Sequence, residues 1–249
     1  MRSSEERARV AALVAEGVND CAIARQTGIP RSTIREWRAG PGPRARLIPS
    51  APHIEEISAW EYSYLLGAYL GDGYLAPAPP GRTSRQLRIY LDVQYPSIIL
   101  ECACAIEDLF RGRRAGLYLH PTSNMVIVSL SSTDWESLFP QHGPGMKHTR
   151  RIGLAGWQRE LVQREPGRFV RGLIHSDGSR TMNRVRSPAG KEYIYPRYEF
   201  SNMSEDIRGL FTWGCDLLGV AWKPMNHKTI SVARRESVAR LDEFVGPKR

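Results

Sequence analysis

Two aspartates in this chain sit in matched surroundings. Asp72 lies near the end of YLLGAYLGDGY, residues 64–74, and Asp177 near the end of FVRGLIHSDGS, residues 169–179, so the two are 105 residues apart. Each segment reads as an apolar helix of two to three turns ending in Asp-Gly, and internal repetition of this kind constrains the fold before any local feature does. Gly67 and Gly71 are four residues apart, as are Gly172 and Ser176, so each helix carries a smooth face. Two such faces can meet backbone to backbone. The helices then end side by side, with Gly73 and Gly178 placed as the glycines just past each end. Asp72 and Asp177 are thereby brought together at two negative helix ends, which the dipoles and the mutual repulsion of the carboxylates both oppose. A divalent cation reverses that balance. Mg2+, or Mn2+ in its place, shared between carboxylates, waters and substrate phosphates is the chemistry this pair suggests.

The elements that must position the pair also come in two matched sets. After Asp72, the residues Leu87, Ile89, Leu91 and Val93 alternate as a half-buried strand does. A helix from about Pro96 to Phe110, the strands GLYLH and NMVIVSLS, and a helix containing Trp135 and Leu138 follow. After Asp177 the same order returns with YIYPRYEFSN, a helix from about Ser204 to Leu218, AWKPM, TISVA, and a helix containing Val238 and Leu241. Each set reads helix, strands, helix, strands, helix.

At this point a resemblance becomes specific. LLGAYLGDG and VRGLIHSDG resemble the two motifs of single-chain LAGLIDADG homing endonucleases. The metal-binding acid of that family, eighth in the motif, falls on Asp72 and Asp177. The sixth position, often acidic in the family, is Leu70 and His175 here, a departure that touches helix packing more than the metal ligand. The resemblance implies an α+β body of two pseudo-symmetric αββαββα repeats, with a saddle of antiparallel strands laid along the major groove of DNA. It also implies catalysis by metal-bound Asp72 and Asp177, which would hydrolyse one phosphodiester per strand with Mg2+ or Mn2+.

Lys147 and Lys248 follow related Gly-Pro turns at the two repeat ends, 101 residues apart. The family places a lysine near this point, close to the scissile phosphate, so the resemblance adds Lys147 and Lys248 to the catalytic set. It also often puts a polar, water-positioning residue at the end of the long strand. Asp92 and Gln94 occupy that place in the first repeat, and Ser201 and Asn202 in the second. Arg85, Arg88, Arg184, Arg186 and Arg197 are the sheet arginines available to contact DNA, and strand alternation in the sequence does not decide which of them face it.

The first forty residues carry a different pattern. A helix from about Ser4 to Glu16 has Val10, Leu13 and Val14 at helical spacing and Gly17 placed to stop it. A second, about Asp20 to Thr27, turns Ile23 and Ala24 inward and ends at Gly28. A third runs from Arg31 to Arg38 with Ile34 and Trp37 on one side. This is the helix-turn-helix pattern, and GVNDCAIARQTGIPRSTIREW resembles its resolvase and transposase versions. In that geometry the last helix enters the major groove, exposing Arg31, Ser32, Thr33 and Arg35 to the bases, with Arg38 reaching phosphate.

Charge agrees with such a partner. Lys plus Arg number 35 against 26 Asp plus Glu, a formal net charge of +9, and each phosphate neutralised would release counterions. No apolar run approaches a membrane span, and MRSSEERARV lacks the apolar core of a secretory signal, so the chain is expected in the cytoplasm, on the nucleoid. Cys21, Cys102, Cys104 and Cys215 form no metal-binding spacing and read as reduced thiols, with Cys102 and Cys104 on different helix faces. His142, His148 and His175 have no partner at ligand spacing and read as hydrogen-bonding residues. The expected organisation is a helix-turn-helix domain over 1–39, a Pro/Gly-rich linker over 40–57, and repeats over 58–149 and 150–249. Two functions fit it. One is a site-specific double-strand endonuclease. The other is a non-cleaving transcriptional regulator, for which a family pairing a degenerate LAGLIDADG fold with a helix-turn-helix in the opposite order is a precedent. The two repeats supply an internal pseudo-dyad, so a monomer suffices for the body, and the helix-turn-helix leaves a dimer open.

Overall fold

A computed structural model describes residues 4–38, 56–186, 190–246 and 248. The expected linker lies almost wholly outside the described residues. Contacts divide the chain into two compact units, 1–48 and 49–249.

The first unit holds three helices, α1 (Ser4–Ala15), α2 (Asp20–Thr27) and α3 (Arg31–Arg38). Four buried side chains, Val10, Ile23, Ile29 and Ile34, form its core, with Leu13, Val14 and Trp37 packed against them. So small a core needs well-made helix ends. The Asn19 side chain accepts from the Ala22 amide at 3.0 Å, and Gly28 closes α2 in the left-handed region at φ 67°.

The second unit begins with α4 (Ala59–Asp72), in which every residue from Tyr62 to Leu70 is buried. A helix apolar all round belongs in the middle of a protein. The strands β1 (Gly73–Ala76) and β2 (Arg85–Asp92), the helix α5 (Pro96–Leu109), the strands β3 (Gly116–Leu119) and β4 (Met125–Ser132), and the short helix α6 (Trp135–Leu138) complete the first repeat. A single 3-10 turn (Lys147–Thr149) and α7 (Gly156–Arg164) lead to α8 (Pro166–Asp177). The second repeat continues with β5 (Gly178–Arg186), β6 (Glu192–Ser201), α9 (Glu205–Leu217), β7 (Lys223–Pro224), β8 (Thr229–Val232) and α10 (Arg235–Asp242). The fold is α+β, and each repeat reads αββαββα. Sequence reasoning missed α7, a helix in the connection between repeats.

Both sheets are antiparallel and share one topology, β1-β2-β4-β3 and β5-β6-β8-β7. In β2 the alternation holds for Leu87, Ile89 and Leu91, which are buried, and fails at Val93, which is 43% exposed. The strand stops at Asp92, whose side chain takes the Gln94 amide at 2.9 Å and turns the chain into α5.

At the centre, α4 and α8 pack against each other. A Cβ added to Gly67 would lie 2.4 Å from the Phe169 carbonyl oxygen, and one added to Gly172 would lie 2.1 Å from that of Tyr64. A Cβ at Gly71 would meet the Ser176 hydroxyl at 2.1 Å. The small residues permit this approach, and any larger one would part the helices. Gly73 and Gly178 differ from expectation. Their backbones are extended, not left-handed, with φ of −85° and −109°. Glycine is needed there because each strand leaves its helix so sharply that a Cβ would fall 2.5 Å from Tyr69 Cα or 2.7 Å from Ile174 Cα.

Candidate active site

The close helix pair fixes where its ends lie. A Cβ on Gly71 would come within 3.0 Å of an Asp177 carboxylate oxygen, so the end of α4 and the acid of α8 are neighbours. Asp72 and Asp177 are both largely withdrawn from water. Burial, then the charge of Asp177, pushes Asp72 up to about 6, with Lys147 and Lys248 opposing the rise. Asp177 is also raised, first by burial, while the Asn202 amide holds it down. That amide donates to Asp177 Oδ2 at 2.6 Å.

Each helix end carries a lysine. Lys147 Nζ donates to the carbonyls of Tyr69 and Gly71, the latter at 2.8 Å. Lys248 Nζ donates to the carbonyls of His175 and Ser176 at 2.9 and 3.4 Å. Both ammonium groups thus cap the helix ends, Lys147 sharing the Tyr69 carbonyl with the Gly73 amide. Burial draws Lys147 down to about 8 and Lys248 below its usual value, and the two aspartates resist both shifts. Two acids and two ammonium groups therefore share one shielded centre.

A cavity of about 570 Å³ opens beside this centre, lined by Lys147, Asp177, Asn202 and Ser201, and by His142, His148 and Arg150 from the connection between repeats. Among the described residues, no group of three or more His, Cys, Asp or Glu side chains could enclose a metal. The donor set is two carboxylates whose affinity for protons is raised by burial, and at Asp72 also by the charge of Asp177. That set fits a hard divalent cation completing its shell with water and phosphate oxygen, and it does not fit a closed structural zinc site.

The strand-end candidates separate. Asn202 reaches Asp177, and Ser201 pairs its hydroxyl with that of Thr229 at 2.9 Å. Asp92 and Gln94 bond to each other in the turn after β2. Gly73 pairs with Ile89 and Gly178 with Phe200, so the first-repeat position equivalent to Asn202 is Leu91, a core residue. The register of the sheets, invisible in the sequence, makes the two acids unequal.

The sheets also sort the arginines. In β2 the face opposite Leu87, Ile89 and Leu91 carries Gln86, Arg88 and Tyr90, and Arg88 donates to Gln86 Oε1 at 2.8 Å. In β6 the face opposite Tyr198 and Phe200 carries Tyr193, Tyr195 and Arg197, with Arg197 3.3 Å from Glu199. Arg85, Arg184 and Arg186 lie on the opposite, helix-side register, and Arg85 pairs with Glu136 of α6. Only Arg88 and Arg197 of the five thus share the open sheet faces.

In the N-terminal unit, Arg31, Ser32 and Arg35 are exposed on α3 and Thr33 is half-buried. Arg38 folds back, donating to the Val18 carbonyl at 2.8 Å and lying 3.4 Å from Asp20. His175 is buried against the Tyr64 hydroxyl at 3.1 Å, and burial holds it down to about 3, so it is neutral. All four cysteines are free, with Cys102 and Cys215 buried and Cys104 exposed. No described helix is long and apolar enough to cross a membrane.

Residues 1–40 match the family model of a homeodomain-like domain, and the N-terminal unit is of that helix-turn-helix kind. Among solved structures, the chain is similar to the LAGLIDADG meganuclease I-AabMI bound to uncleaved DNA, at 13% identity and a TM-score of 0.46, covering 76% of this chain and 83% of that one. It is similar to the LAGLIDADG homing endonuclease I-LtrWI bound to target DNA, at 10% identity and a TM-score of 0.45, with 78% and 82% covered. It is also similar to full-length DUF199/WhiA from Thermatoga maritima, at 16% identity and a TM-score of 0.49, with 80% of this chain and 59% of that one covered. No curated protein matches the sequence.

Proposed function

We propose that this chain is a DNA-binding protein that cleaves duplex DNA at a specific site. The observation that carries this reading is the pair of largely shielded aspartates at the ends of α4 and α8, both holding protons more tightly than a free carboxylate. Asp72 and Asp177 would hold a divalent cation, Mg2+ or Mn2+, which when bound supplies electrostatic stabilisation to a phosphodiester under attack. Lys147 and Lys248 add positive charge beside the same point, where charge on phosphate builds up. Asn202 fixes one acid in orientation. Arg88 and Arg197, among the hydrogen-bonding side chains of the open sheet faces, meet base edges or phosphates, while Arg31, Ser32, Thr33 and Arg35 extend the recognised site through the helix-turn-helix. Arg38 has the alternative role of bracing α2 against α3. Arg85, Arg184 and Arg186 serve the phosphate backbone at most.

One observation favours a second reading, a regulator that binds without cutting. The two lysines already match the two aspartates in charge and cap both helix ends, so charge balance at the centre does not require a cation. Incubation with a randomised duplex library plus Mg2+ or Mn2+, followed by sequencing of bound and cut DNA, separates the two. Cut ends that vanish in the Asp72→Asn, Asp177→Asn double variant while binding survives establish the nuclease. Enriched binding with no cut ends under either metal leaves the regulator.

A further inference from the structure

The two lysines reach equivalent places by different anchors. Lys147 lies on the connection between repeats, where Arg150 donates to the Gln141 carbonyl and Gln141 is held by Gln158 at 2.5 Å. Lys248 lies beyond α10, on a segment with no such glutamine. There the Tyr198 hydroxyl makes one long bond to the Gly246 carbonyl, at 3.4 Å, and the closer hold comes from an arginine. Arg171 Nη1 donates to the carbonyls of Phe244 and Val245 at 2.5 and 2.8 Å. Its other nitrogens are bound to Glu101 of α5, at 2.8 and 3.0 Å from Nε and 2.7 Å from Nη2. Glu101 also accepts from Arg168, and these pairs hold its carboxyl below its usual range against burial.

Arg171 sits in the second motif where the first has Leu66, and Leu66 is fully buried in apolar surroundings. Helix packing at this position is therefore satisfied by leucine. The arginine brings a second salt-bridged charge into a mostly buried place, an arrangement that packing alone does not favour. Its fork reaches two carbonyls of the segment that leads through Gly246, at φ 65°, to Lys248. We propose that Arg171, oriented by Glu101, is a positioning residue that holds the C-terminal segment so that Lys248 stands at the aspartate pair. The inference rests on the reading of Lys248 as part of the site, and it ties the place of Lys248 to Glu101 of the first repeat.

The test uses the full chain and two readouts. Arg171→Gln keeps a donor for Glu101 but is too short to reach the two carbonyls, and Arg171→Leu copies the first repeat. Limited acylation of lysine amines, read by mass spectrometry, should show Lys248 labelling about tenfold faster or more in both variants while Lys147 stays protected, tenfold being what one of the two lost charged hydrogen bonds supplies. If Arg171→Leu does not fold, Arg171→Gln decides alone. Unchanged Lys248 labelling, or a parallel rise at Lys147, would overturn the proposal, because general loosening moves both. Where the wild type cuts DNA, the variants should accumulate nicked duplex, with one strand cut normally and the other slowed. Equal slowing of both strands would equally overturn it. A wild type that never cuts removes the nuclease reading and leaves the labelling result to judge the anchor.

Discussion

The end of α4 and the end of α8 carry the same motif, yet their acids live differently. Asp177 has a neutral amide at 2.6 Å to hold its charge, and Asp72 has the core residue Leu91 at the equivalent register. Their lysines differ in the same sense, one tied down by a network of glutamines and the other by a buried arginine. Pseudo-symmetry has been kept in the backbone and released in the side chains. The difference teaches that repeats sharing a backbone-close interface of small residues can diverge in the side chains around it.

The largest effect should come from breaking what the halves share. Gly172→Val or Gly67→Val would drive a side chain into the opposing helix backbone and should destabilise the body by roughly 3 kcal/mol or more. Thermal or denaturant unfolding measures this. Gly209→Ala, on α9 with nothing within 4 Å, should instead be neutral or stabilise by up to about 1 kcal/mol. Equal responses at the two kinds of site would remove the close-packed interface from the argument.

A smaller effect should sharpen the contrast between the acids. Asp72 binds its proton more tightly when folded, about 6 against 3.8, so its contribution is present below pH 4 and is lost as pH rises through 6. Asp72→Asn should therefore stabilise the metal-free protein above pH 6, by at most roughly 3 kcal/mol, with no gain below pH 4. The same change at Asp177 removes a carboxylate that an amide already stabilises, and should gain less. A larger gain at Asp177 in unfolding measured across this pH range would invert the comparison. Asn202→Leu, which gives the second repeat the residue of the first, should move the Asp177 titration upward by carboxyl NMR.

The smallest effects concern the sheet faces. Arg197→Ala and Arg88→Ala should each weaken binding by about 1–3 kcal/mol and relax base preference locally, while Arg184→Ala should weaken binding evenly across sequences and lower its salt dependence. Competition binding with shuffled duplexes at two salt concentrations distinguishes them.

Much of this was legible in the sequence because it depends on short-range pattern. Gly67 and Gly71, set against Gly172 and Ser176, announced a close helix pair, and the Asp-Gly repeat announced what stood at its end. What escaped depends on register and distance. Nothing near Leu91 or Asn202 in the sequence reveals that they are equivalent, since the pairing of β1 with β2 and of β5 with β6 decides it. The partner of Arg171 is Glu101, seventy residues earlier, and nothing local in the motif points to it. The reason for Gly73 and Gly178 was also misjudged, because a sharp exit into a strand and a left-handed cap call for the same residue. The departure of Arg171 from Leu66 was the one signal in the sequence that could have pointed to the anchor.

Each helix end is capped by a lysine from its own repeat, one on the connection that follows α6 and the other on the segment that follows α10. The charges do not keep to their own halves, since both lysines act on both aspartates and Glu101 of the first repeat orients the Arg171 that anchors Lys248. A half of this molecule is consequently not self-sufficient: a repeat copied or exchanged alone would leave its acid and ammonium group without the partners that set their charge. The connection carrying Lys147 is then a working part of the shared centre, and its length is as constrained as any strand.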